Sequence, residues 1–141
     1  MNTTCFHLAA PFFGDLSPII EFYERLGCQM GRKNNDVIII NFFSHQLVLH
    51  RSNKIEKAKS IYPRHFGLVL PSESDWNDLV SRAKSNQMNF YRDPYHRHSG
   101  QITEHKTFFL KDPSENLLEF KWYKHRKAIF EPIESASIGE D

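Results

Sequence analysis

Three residues of this 141-residue chain carry metal-ligating chemistry in unusual surroundings: His7, His65 and Glu119. His7 opens the apolar run Phe6-His7-Leu8-Ala9-Ala10, and His65 opens Arg64-His65-Phe66-Gly67-Leu68-Val69-Leu70. Side chains alternate between faces along a strand, so His7 shares a face with Cys5 and Ala9, and His65 with Gly67 and Val69. The bulky residues of both runs take the opposite face. A small-residue face carrying one His predicts a cavity with a ligand in it, and the bulky face predicts a helix packed behind. Glu119 stands mid-strand in Leu117-Leu118-Glu119-Phe120-Lys121-Trp122, on the face of Leu117 and Lys121. A carboxylate there is costly to bury unless it is paired or bound to a metal. Two His and one carboxylate from three strands make up the ligand inventory of a mononuclear Fe(II) site with open positions, and the same ligands accept Zn, Mn or Ni. The residues alone leave a second reading open, in which His7 and His65 are polar strand-end residues and Glu119 pairs with Lys121 or Arg64.

Placing these residues takes one strand, one helix and three further strands, and that order occurs twice. Residues 5–10 read as a strand. Leu16, Ile19, Ile20, Tyr23 and Leu26 recur at helical spacing, with Asp15 or Ser17 as cap, Pro18 in the first turn and Gly27 as terminator. Strands follow at 28–32, 37–42 and 46–50, then a polar, Lys-rich connection over 51–62. The pattern restarts with a strand at 65–70 and a helix carrying Trp76, Leu79, Val80 and Ala83, capped by residues 72–75 and ended by Asn86. Strands at 88–91, 104–110 and 117–123 complete it, with a His-rich loop over 92–100; His96-Arg97-His98 reads as solvated, the alternative being a loop beside the site mouth that binds an anionic substrate, and Glu104 reads as a partner for Arg92 or Arg97. His7 and His65 lie 58 residues apart (65 − 7), the mark of an internal duplication. The predicted fold is α+β: two tandem βαβββ units, about 4–52 and 62–125, forming an eight-stranded cupped sheet, a half-open barrel, with the helices outside. One domain spans 1–127, and residues 128–141 are a loose C-terminal tail.

Composition narrows the partners. A net charge of +1 gives no reason to expect nucleic acid or a membrane surface. Cys5 and Cys28 sit in apolar runs with no metal-ligand spacing and no secretory signal before them, so they are expected as reduced thiols in the cytoplasm. No apolar run approaches the roughly 18 residues of a membrane span.

Three motifs together resemble the vicinal oxygen chelate superfamily, which includes glyoxalase I, bleomycin- and fosfomycin-resistance proteins and extradiol ring-cleaving dioxygenases. They are Phe22-Tyr23-Glu24-Arg25-Leu26-Gly27, the restart at His65, and Asp112-Pro113-Ser114-x-Asn116-x-x-Glu119-Phe120, and the resemblance spans residues 5–123. It implies that His7, His65 and Glu119 hold a divalent metal, with Fe(II) the first expectation and Zn, Mn or Ni the alternatives. Glyoxalase I-like members add a Glu on the fourth strand, where this chain has Val48. Fosfomycin-resistance proteins use a Thr two residues after the first His, here Ala9. Extradiol dioxygenases place a substrate-orienting Tyr at the position of Phe109, which donates no hydrogen bond. They also use His residues as acid–base groups; His50, on the face of Val48, and His98 are the proton carriers implied here, with His105 also available. The nearest resemblance is to dioxygenase-like members with a His-Gln-Leu-x-x-His strand, here His45-Gln46-Leu47-Val48-Leu49-His50. The function this implies is a metal-dependent, dioxygenase-like oxidation of a small substrate that chelates the metal through vicinal oxygens. A glyoxalase-type lyase or isomerase and a non-catalytic, bleomycin-resistance-like binding protein are the alternatives. A homodimer is implied, of the kind that in some members exchanges units so that each site draws ligands from two chains. Glu115 stands where the family's turn has Gly; either Glu115 takes a positive φ there at a cost of about 1 kcal/mol or more, or the turn shifts that burden onto Asn116.

Overall fold

The computed structural model describes residues 1–134 and Ile138. The first unit runs β1 (His7–Phe12), α1 (Leu16–Leu26), β2 (Gln29–Lys33), β3 (Val37–Phe42) and β4 (His45–Arg51). The second runs β5 (Phe66–Val69), α2 (Glu73–Ser85), β6 (Phe90–Arg97), β7 (His105–Lys111) and β8 (Leu117–Tyr123), followed by the short helix α3 (Lys127–Phe130). The two tandem βαβββ units are therefore present. Their eight strands divide into two four-stranded sheets of matching order, β1-β4-β3-β2 and β5-β8-β7-β6. In each sheet the first strand lies parallel to the last, and the other pairs are antiparallel.

Period-two patterning decides which face of each sheet is covered. Ile38, Ile40 and Phe42 of β3 are buried, while Asn41 between them is exposed. Leu118 and Phe120 of β8 are fully buried, whereas Glu119 and Lys121 keep partial exposure on the other face. Helix α1 buries Ile19, Phe22, Tyr23 and Leu26, and α2 buries Trp76, Leu79, Val80 and Ala83, each large side chain contributing about 1.5–3 kcal/mol by leaving water. These residues join the inner faces of both sheets in one core cluster, with Phe42 packed on Phe66 and Phe120 across the units. His7 and Glu119 lie on the opposite faces, with His65 just before β5; on the second sheet that face is partly covered by a smaller cluster of Ile61, Phe109 and Leu117.

The turn after β7 clasps the two units. The Tyr23 hydroxyl donates to Asp112 Oδ2 at 2.8 Å, Asn116 Nδ2 donates to the Pro11 carbonyl at 2.9 Å, and the Phe13 amide donates to Ser114 Oγ at 3.2 Å. Asp112 also accepts from the Ser114 and Asn116 amides, at 2.8 and 2.9 Å. The Asp-Pro-x-x-Asn motif is thus more than a hairpin turn.

Local chemistry differs from expectation in a few places. Gly27 ends α1 at φ 115° as expected, but after α2 the left-handed residue is Gln87 (φ 52°), while Asn86 has φ −92° and caps through its side chain on the Arg82 carbonyl. Glu115 itself takes the left-handed turn position at φ 67°, at a cost of about 1 kcal/mol relative to Gly, instead of passing it to Asn116. Strand β6 runs through to Arg97 where a loop was expected; register breaks between Phe90 and Tyr95 absorb Pro94, which has no amide to give the ladder. Residues 127–130 form a helical turn within what read as a loose tail, whose residues 135–137 and 139–141 lie outside the described residues. Among the described residues no helix is long and apolar enough to cross a membrane.

Candidate functional site

His65 stands immediately before β5, and its ring is held from both sides. Nδ1 lies 2.6 Å from the Ile61 carbonyl, which only accepts, so Nδ1 carries a proton and Nε2 is turned to Glu119 Oε1 at 3.0 Å. Phe109, the register partner of Glu119, covers the ring edge-on at 5.2 Å. The second carboxylate oxygen, Oε2, accepts the buried Thr107 hydroxyl at 2.7 Å, and Lys121 Nζ lies 3.9 Å from Oε1. Hydrogen bonding to Glu119 raises the His65 pKa above its ordinary range, against the opposing effect of burial. Burial works against the Glu119 charge, yet His65, Lys121 and Thr107 together outweigh it and hold the carboxyl below its usual range. Glu119 is therefore an anion with every oxygen engaged, paired in part with Lys121 as one reading of the residues had it.

Gly67 is small for a reason other than a ligand. It lies opposite Glu119 across the β5–β8 ladder, and a Cβ placed there would stand 1.6 Å from the Glu119 carbonyl oxygen. The missing side chain permits close backbone approach, and that approach brings His65 to Glu119.

The first unit repeats this geometry with different side chains. Ala9 pairs with Val48 in β1–β4 just as Gly67 pairs with Glu119 in β5–β8, so Val48 occupies the place of the carboxylate. His7, exposed on this sheet, holds its Nδ1 2.8 Å from Gln46 Oε1, which leaves Nε2 as the outward nitrogen. His50 pairs with Pro11 and Val37 on the same sheet and is exposed. Each unit thus opens on one histidine, His7 or His65, and only the second sets a carboxylate beside it.

A cavity of about 450 Å³ opens over the second sheet. It is lined by His65, Glu119, Lys121, Phe109, His105 and Tyr123 from β5, β7, β8 and their ends, by Arg97, His98 and Thr103, and by residues 128–133 with Ile138. His98 faces His105 with ring centroids 5.4 Å apart, and Thr103 joins them: its hydroxyl meets His98 Nδ1 at 3.0 Å, and its carbonyl accepts from His105 Nδ1 at 2.8 Å. Burial pushes the His105 pKa down. The structure thus brings His65, Glu119 and His98 to one cavity and places His7 and His50 on the other sheet, outside its lining. Glu104 pairs with His96 at 2.9 Å and accepts from the Gly100 amide at 2.8 Å, rather than meeting Arg92 or Arg97. Thr107 and the segment after β8 escaped the sequence reading; Thr107, a polar residue within Phe108-Phe109-Leu110's strand, left a visible signal.

The donor set suits a divalent metal in part. The Nδ1–H to carbonyl bond of His65 is the outer contact that metal-ligating imidazoles use to fix their tautomer, and a carboxylate lies beside Nε2. Among the described residues, however, no three His, Cys, Asp or Glu side chains converge within one chain.

Duplicated βαβββ units, two sheets and a His–Glu pair on one of them define a paired-unit α+β class. The chain belongs to the Glyoxalase/Bleomycin resistance protein/Dioxygenase superfamily, whose sequence model matches residues 6–120. It is similar to the crystal structure of a glyoxalase/bleomycin resistance protein/dioxygenase from Alicyclobacillus acidocaldarius, with 42% identity, 89% of this chain and 96% of that one covered, and a TM-score of 0.84. The fosfomycin resistance protein FosX of Listeria monocytogenes shares the fold at 8% identity, with 92% and 100% coverage and a TM-score of 0.69. Lactoylglutathione lyase of Agrobacterium tumefaciens shares it at 13% identity, with 86% and 94% coverage and a TM-score of 0.63. No curated protein matches the chain.

Proposed function

We propose that this protein is a metal-dependent enzyme of the vicinal oxygen chelate type, acting on a small substrate in a dioxygenase-like oxidation. The observation that carries the reading is the state of His65: Nδ1 spent on Ile61, Nε2 turned to Glu119, and Glu119 held ionised by His65, Lys121 and Thr107. His65 and Glu119 would be two ligands, and His7 the third. Because His7 sits on the open face of the other sheet, it comes from a second copy of the chain in a homodimer. A bound divalent ion, Fe(II) first and Zn, Mn or Ni otherwise, would stabilise the charge on two neighbouring substrate oxygens. Around it, Thr107 holds the carboxylate in place, Phe109 shields the imidazole from water, and His98 is the proton carrier that faces the cavity. His50 is that carrier only if the partner copy brings it in together with His7. Val48 in the register place of Glu119 argues against a fourth, carboxylate ligand of the glyoxalase kind. A metal-free binding protein is the second reading, and Lys121 near Glu119 favours it, since an ammonium group already supplies a cation there. We place the protein in the cytoplasm with its thiols reduced.

Metal content after purification without chelator separates the two readings. Wild type is expected to retain a divalent metal and His65→Ala to lose it; an empty wild type, or equal metal in His65→Ala, overturns the enzyme reading. Mixing His7→Ala with His65→Ala chains tests the shared site. Random exchange of a symmetric dimer leaves about a quarter of the sites with all three ligands, whereas a site within one chain recovers none.

A further inference from the structure

Two imidazoles of the cavity over the second sheet are anchored alike and partnered differently. His65 gives its Nδ1 proton to the Ile61 carbonyl and turns Nε2 to Glu119. His105, at the start of β7, also donates from Nδ1 to a backbone carbonyl, that of Thr103, at 2.8 Å. A carbonyl only accepts, so Nδ1 carries the proton and Nε2 holds the lone pair of the neutral ring. Burial pushes the His105 pKa below its ordinary 6.5, against the Thr103 bond, and keeps the ring neutral at pH 7. The residue is only 6% exposed, yet no hydrogen-bond partner meets Nε2 among the described residues. Every fully buried polar side-chain atom of the described residues has a partner, so Nε2 keeps contact with open space, and the space this ring lines is the cavity.

The lone pair is also held in one direction. Tyr123, the register partner of His105 on β8, lies tilted against the ring with centroids 5.1 Å apart, and His98 meets it edge-on at 5.4 Å. Charge does not select the ligand, because the lining carries both signs, with Lys121 beside Glu119 and Glu131 on the segment after β8. Phe109, Ile129, Phe130 and Ile133 supply apolar surface, and about 450 Å³ admits one small molecule. A fixed acceptor in such a place favours a ligand that donates to it. A ligand that covers it without donating strips the nitrogen of water and gives nothing back.

We propose that this cavity binds a small neutral hydroxyl compound, an alcohol or phenol with an apolar body, whose O–H donates to His105 Nε2. The body lies against Phe109 and residues 129–133. The proposal rests on the preceding reading only in taking this cavity as the substrate site. It requires no metal at His65 and Glu119, so it is tested on chelator-treated, full-length protein.

Phenol and its methyl ether anisole, which has the same ring and no donor, are titrated by calorimetry while NMR follows the His105 Nε2 nitrogen. Phenol is expected to bind at least about ten-fold more tightly than anisole, and to shift the Nε2 resonance where anisole does not. His105→Phe keeps a ring between Tyr123 and His98 and removes the lone pair; it is expected to bind the two probes within about two-fold of each other. A thermal transition establishes that the variant folds. Equal affinities in the wild type, no binding of phenol, an Nε2 signal that phenol leaves unmoved, or a phenol preference retained by folded His105→Phe overturns the proposal. If the variant does not fold, the wild-type affinities and Nε2 resonance decide. A protein that retains no metal yet prefers phenol upholds this proposal and overturns the metal reading; one that retains metal and binds both probes alike does the reverse.

Discussion

Gly67→Ala is the sharpest perturbation this structure offers, because one added carbon meets backbone and nothing flexible. The new Cβ would lie 1.6 Å from the Glu119 carbonyl oxygen, 2.6 Å from its carbonyl carbon and 2.8 Å from its nitrogen. An ordinary carbon–oxygen contact needs about 3.5 Å, so β5 and β8 must separate by well over 1 Å, roughly the margin between a sound ladder hydrogen bond and none. Overpacking alone costs about 1–3 kcal/mol, and each ladder bond lost adds about 1 kcal/mol. A loss of about 3 kcal/mol or more follows, equivalent to roughly 10 °C in Tm for a chain of this size. The same separation pulls His65 Nε2 from Glu119 Oε1, now 3.0 Å apart, so the His65 pKa falls back toward its ordinary 6.5. Urea unfolding measures the first effect, and NMR titration of the His65 ring in chelator-treated protein measures the second. Ala9→Gly, the matching position of the first unit, is the control and costs no more than about 1 kcal/mol. A Gly67→Ala protein within about 1 kcal/mol of wild type, with an unmoved His65 titration, would refute the reasoning.

Other expectations follow from the same contacts. In metal-free protein the His65 pKa lies above 6.5, so its contribution to stability is complete below pH 6.5 and fades as pH rises through the raised value; the Glu119 pKa lies below 4.5, so its contribution is complete above pH 4.5 and fades as pH falls through the lowered value. The Tm difference between wild type and His65→Ala should therefore peak between about pH 4.5 and 6.5, and parallel profiles would count against the pair. Asp112→Ala strands the Tyr23 hydroxyl and the Ser114 and Asn116 donors and should cost about 3–5 kcal/mol in urea unfolding. Burial pushes the Cys28 thiol up to about 12, while Cys5 is exposed. A thiol reagent at pH 8 should label one cysteine at once and the second only in denaturant.

Much of the architecture was legible because its signals are local. The apolar faces of α1 and α2, the alternation in β3 and β8, Gly27 at the helix end and the recurrence after His65 are readable from periodicity, and all are found. Other features were legible in part. A small residue beside His65 was read as room for a ligand, whereas Gly67 is small because the Glu119 backbone passes against it. Residues 92–100 read as a polar, His-rich loop, whereas β6 continues through Pro94 at a register break and ends at Arg97, so that Arg97 and His98 after it line the cavity. The role of Asp112 and Asn116 across the units was invisible, since their partners lie far away in the chain.

The sequence by itself determined the two units, the facing of their strands and the candidate chemistry of His7, His65 and Glu119, because strand parity and helical spacing are set by near neighbours. Only the tertiary structure decided which of those residues meet. Both units bury their helix-covered faces in one core and are clasped through Tyr23 and Asp112, so their histidine-bearing faces lie on separate sheets. His65 and Glu119 come together because β5 and β8 are adjacent in a single sheet, and His7 stays apart because that packing is long-range, beyond the reach of any local pattern.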